Sequence, residues 1–146
     1  MIALPATDLY LMGRADEYNV RRGLTPIRHL LEAGVPVALA TNNVRNAFTP
    51  VGTADLTHMA FIAAVAAHMG TPALLRELLA AITTHPAAML RRPQYGLGPG
   101  CRADVVAWAC ESPEEVVATL PARTLVMKDG RVTVEHEARV SDRWRP

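Results

Sequence analysis

The feature that most constrains this sequence is an apolar segment that runs from residue 54 to Met69. Thr53 precedes it and Gly70 follows it, so the segment is predicted to be one helix with a hydroxyl cap and a glycine stop. Its larger apolar side chains, with alanines between them, surround most of the helix: Leu56, Met59, Phe61, Ile62 and Val65. A helix that is apolar nearly all round must be packed on several sides. The fold therefore needs covering layers around it.

A second feature is an apolar run that ends abruptly in polar residues. Val35 to Ala40 is too short for an amphipathic helix, and a buried strand is predicted over 35–41. Thr41, Asn42 and Asn43 follow at once. In α/β folds the side chains at the carboxyl ends of strands point into the crevice where ligands bind. The sequence therefore places a candidate site at the end of this strand.

The other patterns predict an α/β chain whose last part is rich in strands. Residues 2–11 are expected to form a short strand broken at Pro5. Ser112-Pro113-Glu114-Glu115 is typical of a capping box that opens a short helix, and Lys128-Asp129-Gly130 of a hairpin turn. The remaining expected elements are helices over 26–33, 72–82 and 86–90 and strands over 103–109, 123–127 and 131–134. So few parallel-type strands cannot cover both faces of a buried strand, which suggests the end of something larger.

Composition and charge exclude several classes of function. The 146 residues carry 15 Lys and Arg against 14 Asp and Glu, and the densest basic spot is Arg91-Arg92. That is shorter than a nucleic-acid footprint usually needs, so no nucleic-acid partner is expected. The most apolar stretch, Met59 to Ala67, is too short to span a membrane. The amino terminus lacks the basic region of a signal peptide and the two cysteines are expected as reduced thiols, so the expected localisation is cytoplasmic.

Two stretches of the chain carry the motifs of a known family. The first reads LP…LYLMGR…RRGLTPIRHLLEAGVPVALATNNV…TPVGTADL, and the second reads TTHPAAML…YGLGPGCRADVVAWA…LVMKDGRV. The first resembles the last two barrel strands of bacterial cytosine deaminases, which belong to the metal-dependent amidohydrolase superfamily. The second is similar to that superfamily's exit from the barrel.

The resemblance implies a particular fold and domain organisation. A (β/α)8 barrel alone takes about 250 residues, so the chain is expected to hold an incomplete barrel. The expected division is a carboxy-terminal portion of an amidohydrolase barrel over 1–92, carboxy-terminal β-sandwich strands over 93–134, and a polar tail over 135–146.

The resemblance also implies a divalent metal, zinc or iron. The family holds it chiefly with a His-x-His pair on the first strand and with histidines on middle strands. This sequence contains no His-x-His, and its histidines are expected on helices, at a helix start and in the tail: His29, His58, His68, His85 and His136. His58 and His68 share a helix, but their spacing does not suit a chelate. No metal ligands are assigned, and no metal is expected for this chain alone.

The same alignment assigns the candidate site residues. Asn42 falls where the family has the Asp that touches the metal and takes a proton from the bound water. Asn43 falls on a second carboxylate that orients the substrate ring, and Phe48 lies near a substrate-facing aromatic. An amide cannot accept a proton near neutral pH and is a weak metal ligand. Asp55 begins the next helix and can approach this strand end.

Three interpretations of the two amides stay open. The parent protein can carry out a related C–N hydrolysis with another base that lies upstream. It can be a catalytically impaired barrel that retains binding. The amides can also cap the strand end through Asx turns, with no chemistry.

These observations predict a fragment of a metal-dependent hydrolase that acts on non-peptide C–N bonds of cyclic amidines or amides. In a full-length parent the bound molecule would be a small nitrogen heterocycle. The alternative is a non-catalytic remnant or truncated open reading frame without activity alone. Without barrel neighbours, the apolar helix should leave an exposed patch, so self-association of the isolated chain is expected.

Overall fold

The computed structural model describes residues 1–42 and 44–136, which form an α/β arrangement. The strands are β1 (Ile2–Ala3), β2 (Ala38–Leu39), β3 (Val105–Trp108), β4 (Arg123–Lys128) and β5 (Arg131–Glu135). The helices are α1 (Pro5–Leu11), α2 (Ile27–Glu32), α3 (Leu56–Ala66), α4 (Pro72–Ala81), α5 (Thr84–Met89) and α6 (Pro113–Ala118). The predicted α/β class is confirmed. None of these helices, in the part of the chain that is described, is long and apolar enough to cross a membrane.

β1 and β2 form a parallel two-stranded sheet in the first part of the chain. Ile2 pairs with Ala38 and Ala3 pairs with Leu39. The strand predicted over 35–41 is present but shorter, because its partner β1 offers only two residues for pairing. Both residues of β2 are buried. The apolar run thus forms a buried strand, as its composition predicted.

The segment that follows β1 is a helix, so the prediction of a broken strand over 2–11 is wrong beyond Ala3. Pro5 stands in the first turn of α1, where backbone N–H groups have no partner within the helix and proline costs nothing. Pro5 does not break a strand but starts a helix. As a result the chain turns immediately after β1, and Thr7 is buried near the carboxyl end of that strand.

The apolar helix α3 is shorter at both ends than the predicted 54–69. Its cap is Asp55 rather than Thr53, since the Asp55 carboxylate accepts a hydrogen bond from the backbone N–H of Thr57 at 2.9 Å. One side of the helix is in the core, through Met59, Ala60 and Ala63. The other side is open, with Phe61 37% and Val65 63% exposed. The sequence predicts that this helix is covered on several sides, but in the described chain it is covered on one side.

α4 and α6 pack beside α3 and share its core. Leu78 of α4 and Val117 of α6 are both fully buried in the cluster that contains the α3 residues. The helix predicted after Ser112 is present, but the predicted capping box is not, because the Ser112 side chain makes no hydrogen bond to the backbone of α6. The Glu115 side chain accepts from the Ser112 hydroxyl at 3.3 Å, but its backbone partner is the N–H of Glu111, at 3.1 Å. α6 therefore joins the last third of the chain to the core of the first part.

β3, β4 and β5 form an antiparallel sheet in which β4 is central. All three predicted strands are confirmed, with β3 shorter than 103–109 and β5 extended to Glu135. Asp129 and Gly130 form the turn with positive φ values of 49° and 73°, the combination that suits a tight hairpin. Every residue of β5 is exposed. The predicted polar tail over 135–146 lies outside the described residues from 137 onwards.

Candidate functional site

The candidate site is built where the chain leaves two neighbouring parallel strands. Asn42 lies three residues beyond β2, and Thr7 lies on α1, four residues beyond the paired strand β1. The Thr7 hydroxyl donates a hydrogen bond to Oδ1 of Asn42 at 3.2 Å. This bond joins residues 35 apart in sequence across the carboxyl ends of both strands, the edge at which α/β folds bind ligands.

The loop after Asn42 is held in shape by its own polar side chains. Oδ1 of Asn46 accepts hydrogen bonds from the backbone N–H groups of Phe48 at 3.0 Å and Thr49 at 3.1 Å. Thr49 is 1% exposed and anchors the loop, whereas the Phe48 ring is 60% exposed. Phe48 thus stands on the surface of the same loop as Asn42. Asn43, the other predicted substrate residue, lies outside the described residues.

Asp55, a candidate to approach this strand end, binds Arg123 and Thr57 instead. Its carboxylate Oδ2 lies 2.5 Å from a guanidinium nitrogen of Arg123, the first residue of β4, and its Oδ1 accepts from the Thr57 hydroxyl at 2.7 Å. Partial burial raises the pKa of this carboxyl, but the hydrogen bonds from Arg123 and Thr57 and the Arg123 charge outweigh it and lower the pKa to about 2. A carboxylate so acidic is a poor general base near neutral pH. The expectation that Asp55 can serve the strand end is not supported by these contacts.

His85 and His58 each contact a structural partner. Nδ1 of His85, on α5, donates to the backbone carbonyl of Val37 at 3.0 Å, and its Nε2 lies 3.9 Å from Glu77. His58 contacts the Thr53 hydroxyl at 3.3 Å through its own Nδ1. Within residues 1–42 and 44–136, no group of three or more His, Cys, Asp or Glu side chains is placed to hold a metal ion. The described residues do not fit a catalytic metal centre.

A cleft of about 490 Å³ lies elsewhere, between α5 and the connector that leads to β3. Its lining includes apolar Ile82, Pro86 and Leu90 and polar Tyr95, Arg102, Asp104 and Lys128. Of the charged lining groups, Lys128 is paired with Asp104 and Arg102 with Asp129, and Arg92 also lines the cleft. Burial raises the pKa of Tyr95, and the nearby Asp104 charge adds to that effect. None of these lining residues belongs to the strand end that carries Asn42.

Two residues of this arrangement were missed by sequence reasoning. The pattern over 2–11 predicts a strand, so it gives no sign that Thr7 lies on a helix and approaches Asn42. The sequence pattern identifies Arg123 only as the start of a strand, although its guanidinium binds the carboxylate at the start of α3. Neither contact has a local sequence signal, because each depends on how distant elements pack.

Comparison with known protein families identifies the class to which this fold belongs. The model of the amidohydrolase family matches residues 1–134, and the chain belongs to that family. This confirms the resemblance seen in the sequence.

The chain is similar in sequence to curated relatives, among them the following three. The chain is 31% identical over 134 residues to a pterin deaminase of Rhizobium rhizogenes, covering 90% of this chain and 30% of the relative. It is 41% identical over 118 residues to an imidazolonepropionase of Anaeromyxobacter dehalogenans, covering 77% of this chain and 25% of the relative. It is 31% identical over 117 residues to an N-isopropylammelide isopropyl amidohydrolase of Pseudomonas sp., covering 80% of this chain and 29% of the relative. The chain thus spans less than a third of the length of these relatives.

Solved structures agree with this assignment. The 5-methylcytosine deaminase of Klebsiella pneumoniae, in complex with phosphonocytosine, matches 97% of this chain with a TM-score of 0.87 and 25% identity, and 35% of its own chain is covered. The N-isopropylammelide isopropylaminohydrolase of Burkholderia multivorans matches 76% of this chain with a TM-score of 0.70 and 30% identity, over 28% of its own length. The fold described here therefore matches about a third of the length of the 5-methylcytosine deaminase, of which 35% is covered.

Proposed function

We propose that this chain is the carboxy-terminal portion of a metal-dependent hydrolase that acts on non-peptide C–N bonds of cyclic amidines or amides. The observation that carries the proposal is the match of almost the whole chain, with a TM-score of 0.87, to a deaminase that holds a cytosine analogue. The pterin deaminase and N-isopropylammelide hydrolase among the relatives also carry names that refer to small nitrogen heterocycles. A molecule of that class is the proposed substrate.

The proposed architecture is the end of a (β/α)8 barrel over 1–92 followed by β-sandwich strands over 93–134. The parallel pairing of β1 with β2, with α1 and α3 leaving their carboxyl ends, supports the first assignment. The antiparallel sheet of β3, β4 and β5 supports the second. Two parallel strands leave both outer edges without a neighbouring strand in the described chain, and barrels remove such edges by closing on themselves.

At the proposed site, Asn42 contacts the substrate and does not transfer protons. Its amide has no basic atom at neutral pH, and the first acidic residue that follows it in sequence, Asp55, is engaged by Arg123. Asn43 is proposed to help orient the substrate ring. Phe48, with its ring exposed on the same loop, is proposed to stack on a planar heterocycle. Any general base that the protein uses would come from residues beyond this chain.

The zinc or iron that the family implies would likewise be held by residues beyond this chain. We derive no step through it, because the described residues do not bring together the ligands that a catalytic site requires.

The proposal is tested by the reading frame that precedes the Met1 codon. In-frame sequence that encodes a His-x-His motif supports a longer enzyme, and the extended protein should release ammonia or an amine from cytosine, pterin or N-isopropylammelide. Unrelated upstream sequence, or an extended protein that binds metal but turns over none of these compounds, would favour the alternative of a non-catalytic remnant.

A further inference from the structure

The cleft between α5 and the connector that leads to β3 has walls held by backbone hydrogen bonds. Its volume, about 490 Å³, is typical of sites for small molecules. The backbone N–H of Arg92 donates to the carbonyl of Ala87 at 3.0 Å, and the N–H of Arg102 donates to the carbonyl of Gln94 at 3.1 Å. The first bond holds the chain where it leaves α5, and the second closes the connector on itself. The shape of the cleft is therefore set by the fold.

One wall of the cleft is apolar. It is formed by Ile82 at the end of α4, by Pro86 and Ala87 of α5, and by Leu90, which follows α5. Leu90 is 69% exposed although its side chain is large and apolar. An apolar group that covers this side chain removes its surface from water, which is favourable. The wall therefore suits the hydrocarbon part of a ligand.

A second part of the lining is cationic. It contains Arg92, Arg102 and Lys128, together with the carboxylate of Asp104. Lys128 pairs with Asp104, and Arg102 pairs with Asp129, which does not itself line the cleft. Within residues 1–42 and 44–136, Arg92 forms an ion pair with no carboxylate. In that part of the chain the charge of Arg92 is therefore left without a counterion.

We infer that this cleft binds a small amphipathic carboxylate, whose apolar part lies on the α5 wall and whose carboxylate lies on the Arg92 guanidinium. A guanidinium presents parallel N–H donors that match the two oxygens of a carboxylate. Leu90 and Arg92 both line the cleft and are two residues apart, so one ligand can contact both. The cleft lies apart from the strand end that carries Asn42, so the inference goes beyond the proposed function and does not depend on it.

The charge of the ligand follows from the same count of ion pairs. One unpaired guanidinium balances one negative charge, which favours a monoanion over a phosphate dianion. The apolar wall adds the requirement for a hydrocarbon body, which a bare inorganic anion lacks. The two features together select an amphipathic monoanion.

Isothermal titration calorimetry of the 146-residue chain with octanoate, at low ionic strength, measures this binding. Octan-1-ol has the same chain length without the charge, and octylammonium has the opposite charge. We expect saturable binding of one equivalent of octanoate, weaker binding of octan-1-ol, and no measurable binding of octylammonium. Octanoate binding that does not saturate would overturn the inference. Equal affinities for octanoate and octan-1-ol would also overturn it, because apolar contact alone would then drive binding.

Arg92→Gln should weaken octanoate binding by about tenfold or more, because it removes a charged hydrogen-bond donor. Arg92→Lys keeps the charge without the paired donors, and its affinity should lie between the two. Arg91→Gln is the matched control, since Arg91 is the adjacent residue and does not line the cleft. Equal losses in Arg92→Gln and Arg91→Gln would show a general effect of charge and would contradict the assignment of the carboxylate to Arg92.

Leu90→Asn tests the apolar wall separately and should also weaken octanoate binding. Leu97→Asn is its control, because Leu97 is 87% exposed and lies outside the lining of the cleft. Both leucines are exposed, so the fold should be kept in both variants, and circular dichroism checks this. Equal affinities of Leu90→Asn and Leu97→Asn would contradict the placement of the hydrocarbon on α5. Turnover enters none of these measurements, so an inactive extended protein would refute the proposed function and leave this inference intact.

Discussion

Arg123 lies 2.5 Å from Asp55, and this pair joins the first strand residue of β4 to the cap of α3. The Asp55 side chain is 19% exposed and the Arg123 side chain is 39% exposed. The exposure of this ion pair is therefore intermediate between that of a surface ion pair and that of a buried one. It ties the sheet of the last third of the chain to the helix that starts after the candidate loop.

Arg123→Gln should lower the free energy of unfolding by about 1 to 2 kcal/mol at pH 7, because it leaves a partly buried carboxylate without its cation. Urea denaturation followed by circular dichroism measures this loss. Arg28→Gln is the matched control, since Arg28 pairs with Glu32 at the exposed surface of α2 and its loss should not be resolved. Equal effects of the two substitutions would contradict the prediction that the Asp55–Arg123 contact stabilises the fold more than a surface ion pair does.

The same pair predicts how stability depends on pH. The folded pKa of Asp55, about 2, lies below the value of about 3.9 expected in the unfolded chain, so the ionised carboxylate favours folding. This contribution is complete above about pH 5 and is lost as the pH falls through 4 toward 2. The difference in stability between the original chain and Asp55→Asn should shrink over that range. A difference that stays constant from pH 6 to pH 2 would argue against a depressed pKa.

Val117→Ala should destabilise the whole described chain by about 1 to 3 kcal/mol, because Val117 is fully buried in the core that contains α3 and α4. The control is Val134→Ala, which removes the same atoms from a residue of β5 that is 50% exposed. Denaturation should remain one cooperative transition in both variants. Two separate transitions, with only one shifted by Val117→Ala, would mean that α6 folds independently of the first part.

The open face of α3 predicts association between copies of the isolated chain. Phe61 and Val65 leave apolar surface on this helix, and such patches mark interaction sites or aggregation liabilities. Sedimentation velocity over a range of concentrations should show association, and Val65→Glu should reduce it. Gln94→Glu adds the same charge at an exposed residue of the connector and should change little. Association that is unaffected by Val65→Glu would place the contact on another surface.

The sequence predicted most elements of this fold because their signals are local. The run over 35–41 and the turn at Asp129-Gly130 are specified by apolar pattern and by turn chemistry, and both are present. The error at 5–11 arose because a proline can interrupt a strand or begin a helix, and local composition does not separate the two.

The candidate site was predicted in part, for a related physical reason. Asn42 could be placed at a strand end by pattern and by resemblance. Its partner Thr7 and the engagement of Asp55 by Arg123 arise from packing between segments 35 and 68 residues apart, which no local rule encodes. The proposed roles of Asn43 and Phe48 remain predictions.

In an extended protein with an intact metal site, Asn42→Asp should raise deaminase activity, because it supplies a proton acceptor at the expected position. General-base catalysis is worth about 10²- to 10⁴-fold. Asn46→Asp makes the same chemical change in the neighbouring loop, where the side-chain oxygen continues to accept from Phe48 and Thr49, and should not raise activity. Unchanged turnover in Asn42→Asp would place the base elsewhere in the protein.

The central claim is that Asn42 marks the active-site end of an amidohydrolase barrel whose catalytic metal is held outside this chain. Metal analysis of the 146-residue chain, purified without an affinity tag, tests it most directly. The account predicts zinc, iron and manganese well below one equivalent and no turnover of cytosine. One tightly bound equivalent of any of these metals, lost on Asn42→Ala, would contradict it.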